Sequence, residues 1–384
     1  MELSTYLALK EIWRNRGRFL LVALVIALIT LLVLFIAALG EGLGTNNRQY
    51  VANLDAQLVV FSDKADFIIA SSRLDQSALK AVRRLDGVAD AGPISTSTTA
   101  IILGNDKVLK VSMLGVEAGR PGLPPVIEGR IYQTQLAKEV VIDRNVALRS
   151  DIKVGDAITI RSTQGTKDEF FTLKVVGLTE GQAYFFAPTI FVPPSTWERV
   201  HPKSAAEANK TVPDINIIAV KLVDAPQVQA MTAKLDAAVA NSRSADIETA
   251  INNIPGYSAQ QGTVQTQGVF TLLIGVLVIG GFFQIQILQK VPQIGVLKAI
   301  GSSNGVVGGA AVIQIMVVTA IGVGIGGFFT YIFSLFFPPT IPLVFNGTAS
   351  ALAIAALLLI GPIGGLVSVI YAVRIEPLKA LRLS

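Results

Sequence analysis

The chain of 384 residues has no cysteine and a single histidine, His201. Without thiols there is no disulfide framework and no thiolate metal site, and one imidazole cannot form a histidine cluster. Charge is scarce too. Asp, Glu, Lys and Arg make up 15% of the residues against 51% hydrophobic ones, which excludes an intrinsically disordered chain. Four stretches have no Asp, Glu, Lys, Arg or His at all: 19–39, 268–288, 306–337 and 349–371. Each exceeds the roughly 18 apolar residues that cross a hydrocarbon core about 30 Å thick, so four transmembrane helices are predicted. The first run is longer than a signal-peptide core, and Phe35-Ile-Ala-Ala-Leu39 is a poor cleavage site, so it reads as a retained anchor. Spans free of these five residue types argue against an ion-coupled pump. The G-x-x-x-x-G-K-[ST] phosphate loop is missing, as are carboxylate or histidine constellations spaced for catalysis or metal binding. The expectation is a non-enzymatic chain that binds no cofactor or metal of its own.

The net charge of +5 is unevenly distributed. Segments 1–18, 289–305 and 372–384 hold nine of the 32 basic residues and only three of the 27 acidic ones. Basic residues in short loops mark the cytoplasmic side, which puts both termini and 289–305 inside and 40–267 outside. The basic balance therefore reports topology and does not point to nucleic acid. The expected order is a cytoplasmic amphipathic helix (1–18), a first span (19–39), an extracytoplasmic α+β domain (40–267) and a second span (268–288). A cytoplasmic loop (289–305), a third span (306–337), a short outer loop (338–348), a fourth span (349–371) and a cytoplasmic tail (372–384) complete it.

Residues 1–15 carry Leu3, Tyr6, Leu7, Leu9, Ile12 and Trp13 at helical spacing, the pattern of a helix lying in the membrane interface, with Gly17 allowing a bend into the first span. In the outer segment, 56–61, 107–116, 139–143, 157–161, 170–178 and 190–192 read as strands, 74–85 and 227–242 as helices, and Val154-Gly155-Asp156 as a turn. His201, in Val200-His-Pro202, reads as a solvated loop histidine or a ligand contact. Gly322-xxx-Gly326 and Gly361-xxx-Gly365, with Gly305-xxx-Gly309, fit close packing of membrane helices. In the 289–305 loop, Pro292 suits the first turn of a short helix and Gly301 its end. Ile294, Leu297 and Ile300 form an apolar stripe with Val296 beside it and Lys298 off it, to be buried by lipid headgroups or by a partner's groove.

Gln293-Ile-Gly-Val-Leu-Lys-Ala-Ile-Gly301 closely resembles the loop between the second and third spans of the FtsX/MacB-type permeases, the membrane subunits of type VII ABC transporters. The N-terminal Ala8-Leu-Lys-Glu-Ile-Trp-Arg-Asn-Arg-Gly-Arg-Phe-Leu-Leu21 and the ending Arg374-Ile-Glu-Pro-Leu-Lys-Ala-Leu381 resemble the same family. So do Gly129-Arg130, Glu139-Val-Val-Ile-Asp143, Val154-Gly155-Asp156, Val175-Val-Gly-Leu178 and Pro188-Thr-Ile-Phe-Val192 in the outer segment, which look like the MacB-type periplasmic core. Gln293 is a departure, since many members carry Glu there. Gly40-Glu-Gly-Leu-Gly44 and the Pro338-Pro-Thr-Ile-Pro342 loop look closest to DevC-like exporters and haem-exporting permeases.

The resemblance implies that Gln293, Ile294, Gly295, Val296, Leu297, Lys298, Ala299 and Gly301 form a coupling helix on an ATPase, and that Arg374, Pro377, Ala380 and Leu381 form a cytoplasmic motif. It implies a homodimer in a bacterial inner membrane with two copies of a separate ATPase that hold ATP and Mg2+, and a periplasmic adaptor as a further candidate partner. The implied function is export of a hydrophobic or amphiphilic compound (haem, lipid or antimicrobial) by mechanotransmission; the alternative is an FtsX-like signalling permease acting on a cell-wall hydrolase. From position alone, Glu41, Tyr50 and Gln265 are candidates for the substrate path.

Overall fold

A computed structural model describes residues 2–104, 107–203, 215–224, 227–338 and 341–375. The chain divides into two compact units, Met1–Gly42 with Gly262–Ser384, and Leu43–Gln261.

In the first unit a short helix, α1 (Glu2–Arg14), precedes α2 (Arg16–Ala52). Three more long helices follow the second unit: α8 (Tyr257–Ala299), α9 (Asn304–Phe336) and α10 (Gly347–Arg374). All four long helices are long and apolar enough to cross a membrane. At 1.5 Å per residue α2 and α8 run about 55 and 65 Å, well beyond a hydrocarbon core. The division between the units falls inside both of them. The chain turns between α1 and α2 at Asn15, whose carbonyl accepts the N–H groups of Arg18 and Phe19 at 3.0 and 3.3 Å. Gly17, expected at the bend, lies one residue inside α2. Ser4 and Ala8 of α1 are buried, and Ser4 lies against Gly309 of α9. The opposite face exposes Tyr6, Leu9 and Trp13.

Residues 289–299 do not form a separate short helix, because α8 continues through them with Pro292 in its interior. The helix ends where expected. Gly301 adopts φ +99°, its N–H reaches the Lys298 carbonyl at 3.0 Å, and the Ser302 N–H reaches the Leu297 carbonyl at 3.1 Å. This is a Schellman cap, which needs a left-handed residue and so favours glycine. Ser303 then caps α9, accepting from the Val306 N–H.

The second unit is α+β. Its described residues form a ten-stranded sheet: β1 (Leu58–Ser62), β2 (Val88–Ile102), β3 (Val108–Val116), β4 (Val126–Gly129), β5 (Glu139–Asp143), β6 (Ala157–Gln164), β7 (Lys167–Thr179), β8 (Thr189–Val192), β9 (Ile217–Leu222) and β10 (Ser242–Asp246). The order is β10-β1-β9-β2-β3-β8-β5-β7-β4, with β6 bridging β2 and β7. Pairing is antiparallel except β3 with β8 and β5 with β7. The long β2 ties the halves together, pairing β9 through its first part and β3 and β6 through its last.

Strand alternation sorts the core into layers. Val59, Phe61, Leu114, Val141, Phe191 and Ile217 point to one face, where they meet Tyr50 and Val51 from α2, Ile251 from α7 (Ile247–Asn252) and Tyr257 from α8. On the other face, Leu58, Val60, Ile218 and Val220 pack under α3 (Gln76–Arg83) and α6 (Val228–Ala238). Val111, Met113, Ile142 and Ile190 pack under α5 (Pro194–Val200) and beside Val146 of α4 (Arg144–Ser150). Burial on both faces explains the near-continuous apolar runs of β1, β8 and β9. Asp143 is fully buried at the start of α4; its carboxylate accepts the Val146 N–H at 2.8 Å and the Gln182 N–H at 3.1 Å. Desolvation raises its affinity for a proton and these bonds oppose that.

His201 is not a solvated loop residue. Its side chain is 14% exposed, its ring stacks on Trp197 with centroids 4.1 Å apart, and Nε2 lies 3.5 Å from Glu198. Burial outweighs that carboxylate and holds the imidazole below its usual pKa of 6.5. The unfolded chain takes up this proton near pH 6.5 and the folded domain only at lower pH. Its contribution to stability is complete above 6.5 and is lost as pH falls through the folded value. Because His201 is the only histidine, NMR titration of the full chain reports it without ambiguity, and a midpoint below 6.5 is expected; a midpoint at or above 6.5 contradicts this packing.

Candidate functional site

The segment 293–301 forms the last turns of α8, and the structure splits its residues into two sets. Ile294 and Gly295 are buried, Ile294 in a cluster with Ile287, Val307, Ala311 and Ala372, and Leu297 packs against the same cluster. Gln293, Val296, Ala299 and Ile300 are exposed, Val296 by 48% and Ile300 by 76%. The expected single stripe of Ile294, Leu297 and Ile300 therefore does not await a partner as a whole. The chain's own α9 and α10 already cover two of its three residues.

Lys298 also acts within the chain. Its Nζ donates to the carbonyls of Val373 at 2.6 Å and Ile375 at 3.1 Å, satisfying carbonyls left open at the C-terminus of α10. A cation there also meets the negative end of the helix dipole. The segment is thus held to α10 by a charge-assisted contact and to the bundle by Ile294 and Leu297. What remains outside is an apolar edge of Val296 and Ile300 on a fixed base. Arg374 ends α10 and is exposed, while Pro377, Ala380 and Leu381 lie outside the described residues.

The packing glycines make close contacts. A Cβ on Gly322 would come within 2.6 Å of Ile26, and one on Gly326 within 2.5 Å of the Ala27 carbonyl, so this face of α9 lies directly on α2. On α10, Gly361 and Gly365 leave room for Thr319 and Ile315 of α9. Gly309 faces Ser4 of α1, whereas Gly305 has little beside it. One pair escaped the sequence reading. Gly280 of α8 and Gly364 of α10 approach so that each hypothetical Cβ would lie 2.6 Å from a carbonyl oxygen of the other helix. They are 84 positions apart, so no local motif signals them.

The three substrate-path candidates are divided between the two units. Tyr50 is a core residue of the second unit, 3% exposed, and its hydroxyl donates to the Gly122 carbonyl at 2.8 Å. It was expected beside the membrane because of its position near the first span. Glu41 is half-buried and Gln265 exposed, both in the first unit. Neither lines the apolar cavity of about 280 Å3 beside α2 and α9, whose lining includes Phe35, Phe333, Phe337 and Phe345 with Thr330 and Ser334. The connection from α9 to α10 closes on α2 there: the Val344 N–H bonds the Ala38 carbonyl at 3.1 Å, and any Cβ at Gly42 would collide with the Pro342 carbonyl.

Two family models match the chain: the MacB-like periplasmic core domain over residues 19–238 and the FtsX-like permease C-terminal domain over 267–377. A protein of Staphylococcus haemolyticus named as a hemin transport system permease protein, HrtB, is 26% identical over 375 residues, 98% of each chain. An uncharacterized ABC transporter permease of Mycobacterium bovis is 23% identical over 381 residues, again 98% of each. Among solved structures, the periplasmic region of MacB from Actinobacillus actinomycetemcomitans is 15% identical and covers 52% of this chain and 94% of that one, with a TM-score of 0.37.

The Lys298 contact predicts a local effect. Lys298→Met leaves the last carbonyls of α10 without their charged donor, so the amides of its final turn should exchange with deuterium roughly fivefold faster, the loss of about 1 kcal/mol of local stability. Unchanged exchange there would mean that Lys298 does not hold the helix end.

Proposed function

The chain belongs to the FtsX/MacB-type permeases of ABC transporters, and from that premise we propose that it turns ATP hydrolysis by a partner into movement of its outer domain. Family membership makes it a transporter membrane subunit that works with a partner ATPase, an integral membrane protein with a large extracellular domain. In this reading both termini and the end of α8 face the cytoplasm of a bacterial inner membrane. ATP and Mg2+ are held by the ATPase. Two copies of the permease meet two copies of the ATPase, and a periplasmic adaptor is a further partner to test.

The observation that carries the reading is the exposed Val296–Ile300 edge on a segment otherwise fixed by Ile294, Leu297 and Lys298. Exposed apolar residues on a loose segment would only absorb a push. On a segment clamped to α9 and α10, a partner seated there moves the helices themselves. Movement along α8 then reaches Tyr257, which is part of the outer domain's core, as are Tyr50 and Val51 at the end of α2. Spans without Asp, Glu, Lys, Arg or His suit this mechanism, because no polar channel is needed.

We take the cargo to be hydrophobic or amphiphilic, with haem as the first compound to test, because a full-length relative is named for hemin transport. The phenylalanine-lined cavity in the first unit supports an apolar ligand reached from the side.

The complex reconstituted with its partner ATPase tests this. Hemin should stimulate ATP turnover in the native complex, and the Val296→Asp/Ile300→Asp pair should lose the stimulation by roughly tenfold or more, since it places charge in a desolvated contact. Membrane insertion of the variant should be unchanged. Equal stimulation in native and variant complexes would overturn the coupling role.

A further inference from the structure

A second cavity, of about 380 Å3, lies in the first unit among α1, the first turn of α2, the end of α8 and α9. Its charged and polar lining includes Lys10, Glu11, Arg14, Arg18, Lys290 and Gln314. The acid in this set is already engaged: Glu11 forms an ion pair with Lys290 and accepts from Nε2 of the buried Gln314 at 2.6 Å. Among the described residues, the other three cations have only neutral partners or none. Lys10 donates to the Tyr6 hydroxyl at 3.1 Å, Arg18 donates to the Gln289 side-chain carbonyl, and Arg14 has no acidic partner among the described residues. Three cationic side chains, Lys10, Arg14 and Arg18, therefore line one concave space. Like charges that line one cavity repel, and a bound anion relieves that repulsion.

We propose that this cavity binds the phosphate of an anionic phospholipid. The surfaces beside it favour a lipid over a free anion. Tyr6, Leu9 and Trp13 on α1, Leu20 and Leu21 on α2 and Leu288 on α8 are all exposed apolar side chains. A phosphate carrying acyl chains satisfies the cations and covers that apolar border together, whereas a soluble phosphate satisfies only the cations. Basic pockets between membrane helices take anionic headgroups for this reason. The site depends on the geometry of the first unit alone and stands or falls separately from the coupling reading.

The test uses the full-length chain in detergent, with retained lipid read by native mass spectrometry. Phosphatidylglycerol should be retained in preference to phosphatidylcholine. The Lys10→Gln/Arg14→Gln pair should weaken phosphatidylglycerol retention roughly 30-fold, about fivefold for each cation lost. The charge-conserving pair Lys10→Arg/Arg14→Lys should stay within about threefold of the native chain, which separates loss of charge from loss of fold. Millimolar inorganic phosphate should not displace the lipid. Equal retention of the two lipids overturns the proposal, as does equal retention by the native chain and the glutamine pair. Equal loss in both pairs or displacement by inorganic phosphate overturns it too, the last making the cavity a soluble-anion site.

Discussion

Hydrocarbon supplies neither water for backbone polar groups nor a hydrophobic gain when two helices meet, and the first unit is organised by those two facts. The first requires helices whose N–H and C=O groups pair internally. The second leaves close backbone contact as the main source of cohesion, and glycine permits it. Gly322 and Gly326 bring α9 onto α2, Gly361 and Gly365 bring α10 onto α9, and Gly280 with Gly364 bring α8 onto α10. Contacts in which an added Cβ would lie 2.1 to 2.6 Å from a neighbouring atom admit little sliding. Helices held this way move as bodies between discrete arrangements.

That rigidity gives the end of α8 its meaning. The segment 293–301 is divided between residues that bind it to the bundle and residues that face outward. A Schellman cap at Gly301 and an N-cap at Ser303 keep the turn into α9 short. At its other end α8 begins with Tyr257 inside the core of the sheet, so the same helix belongs to both units.

Much of this was legible in the sequence, and the failures have physical causes. The four spans announce themselves because a membrane demands long uncharged runs, and Gly301 because a left-handed helix end favours glycine. The stripe of Ile294, Leu297 and Ile300 was legible as a stripe, but periodicity does not say which part of it the chain covers itself; that depends on where α9 and α10 lie. Strand β2 was missed because Ala91-Gly-Pro-Ile-Ser-Thr-Ser-Thr-Thr99 carries little apolar alternation; pairing with β9, β3 and β6 makes it a strand. Tyr50 was placed beside the membrane because hydropathy reports where a span stops being apolar, while its helix continues to Ala52 and into a core. His201 looked solvated because a Val-His-Pro context does not reveal a stacked Trp197.

The central claim is that ATP bound by the partner moves the outer domain. A chain without cysteine allows one label to be placed without background, and Lys80 on the exposed side of α3 is a suitable position. If two copies assemble as proposed, spin labels at Lys80→Cys in the reconstituted complex give the distance between them by pulsed electron resonance. Nucleotide-free and ATP-bound complexes should give distributions that differ by on the order of 5 Å, the scale of switching between packed arrangements. The same distribution in both states would contradict the account.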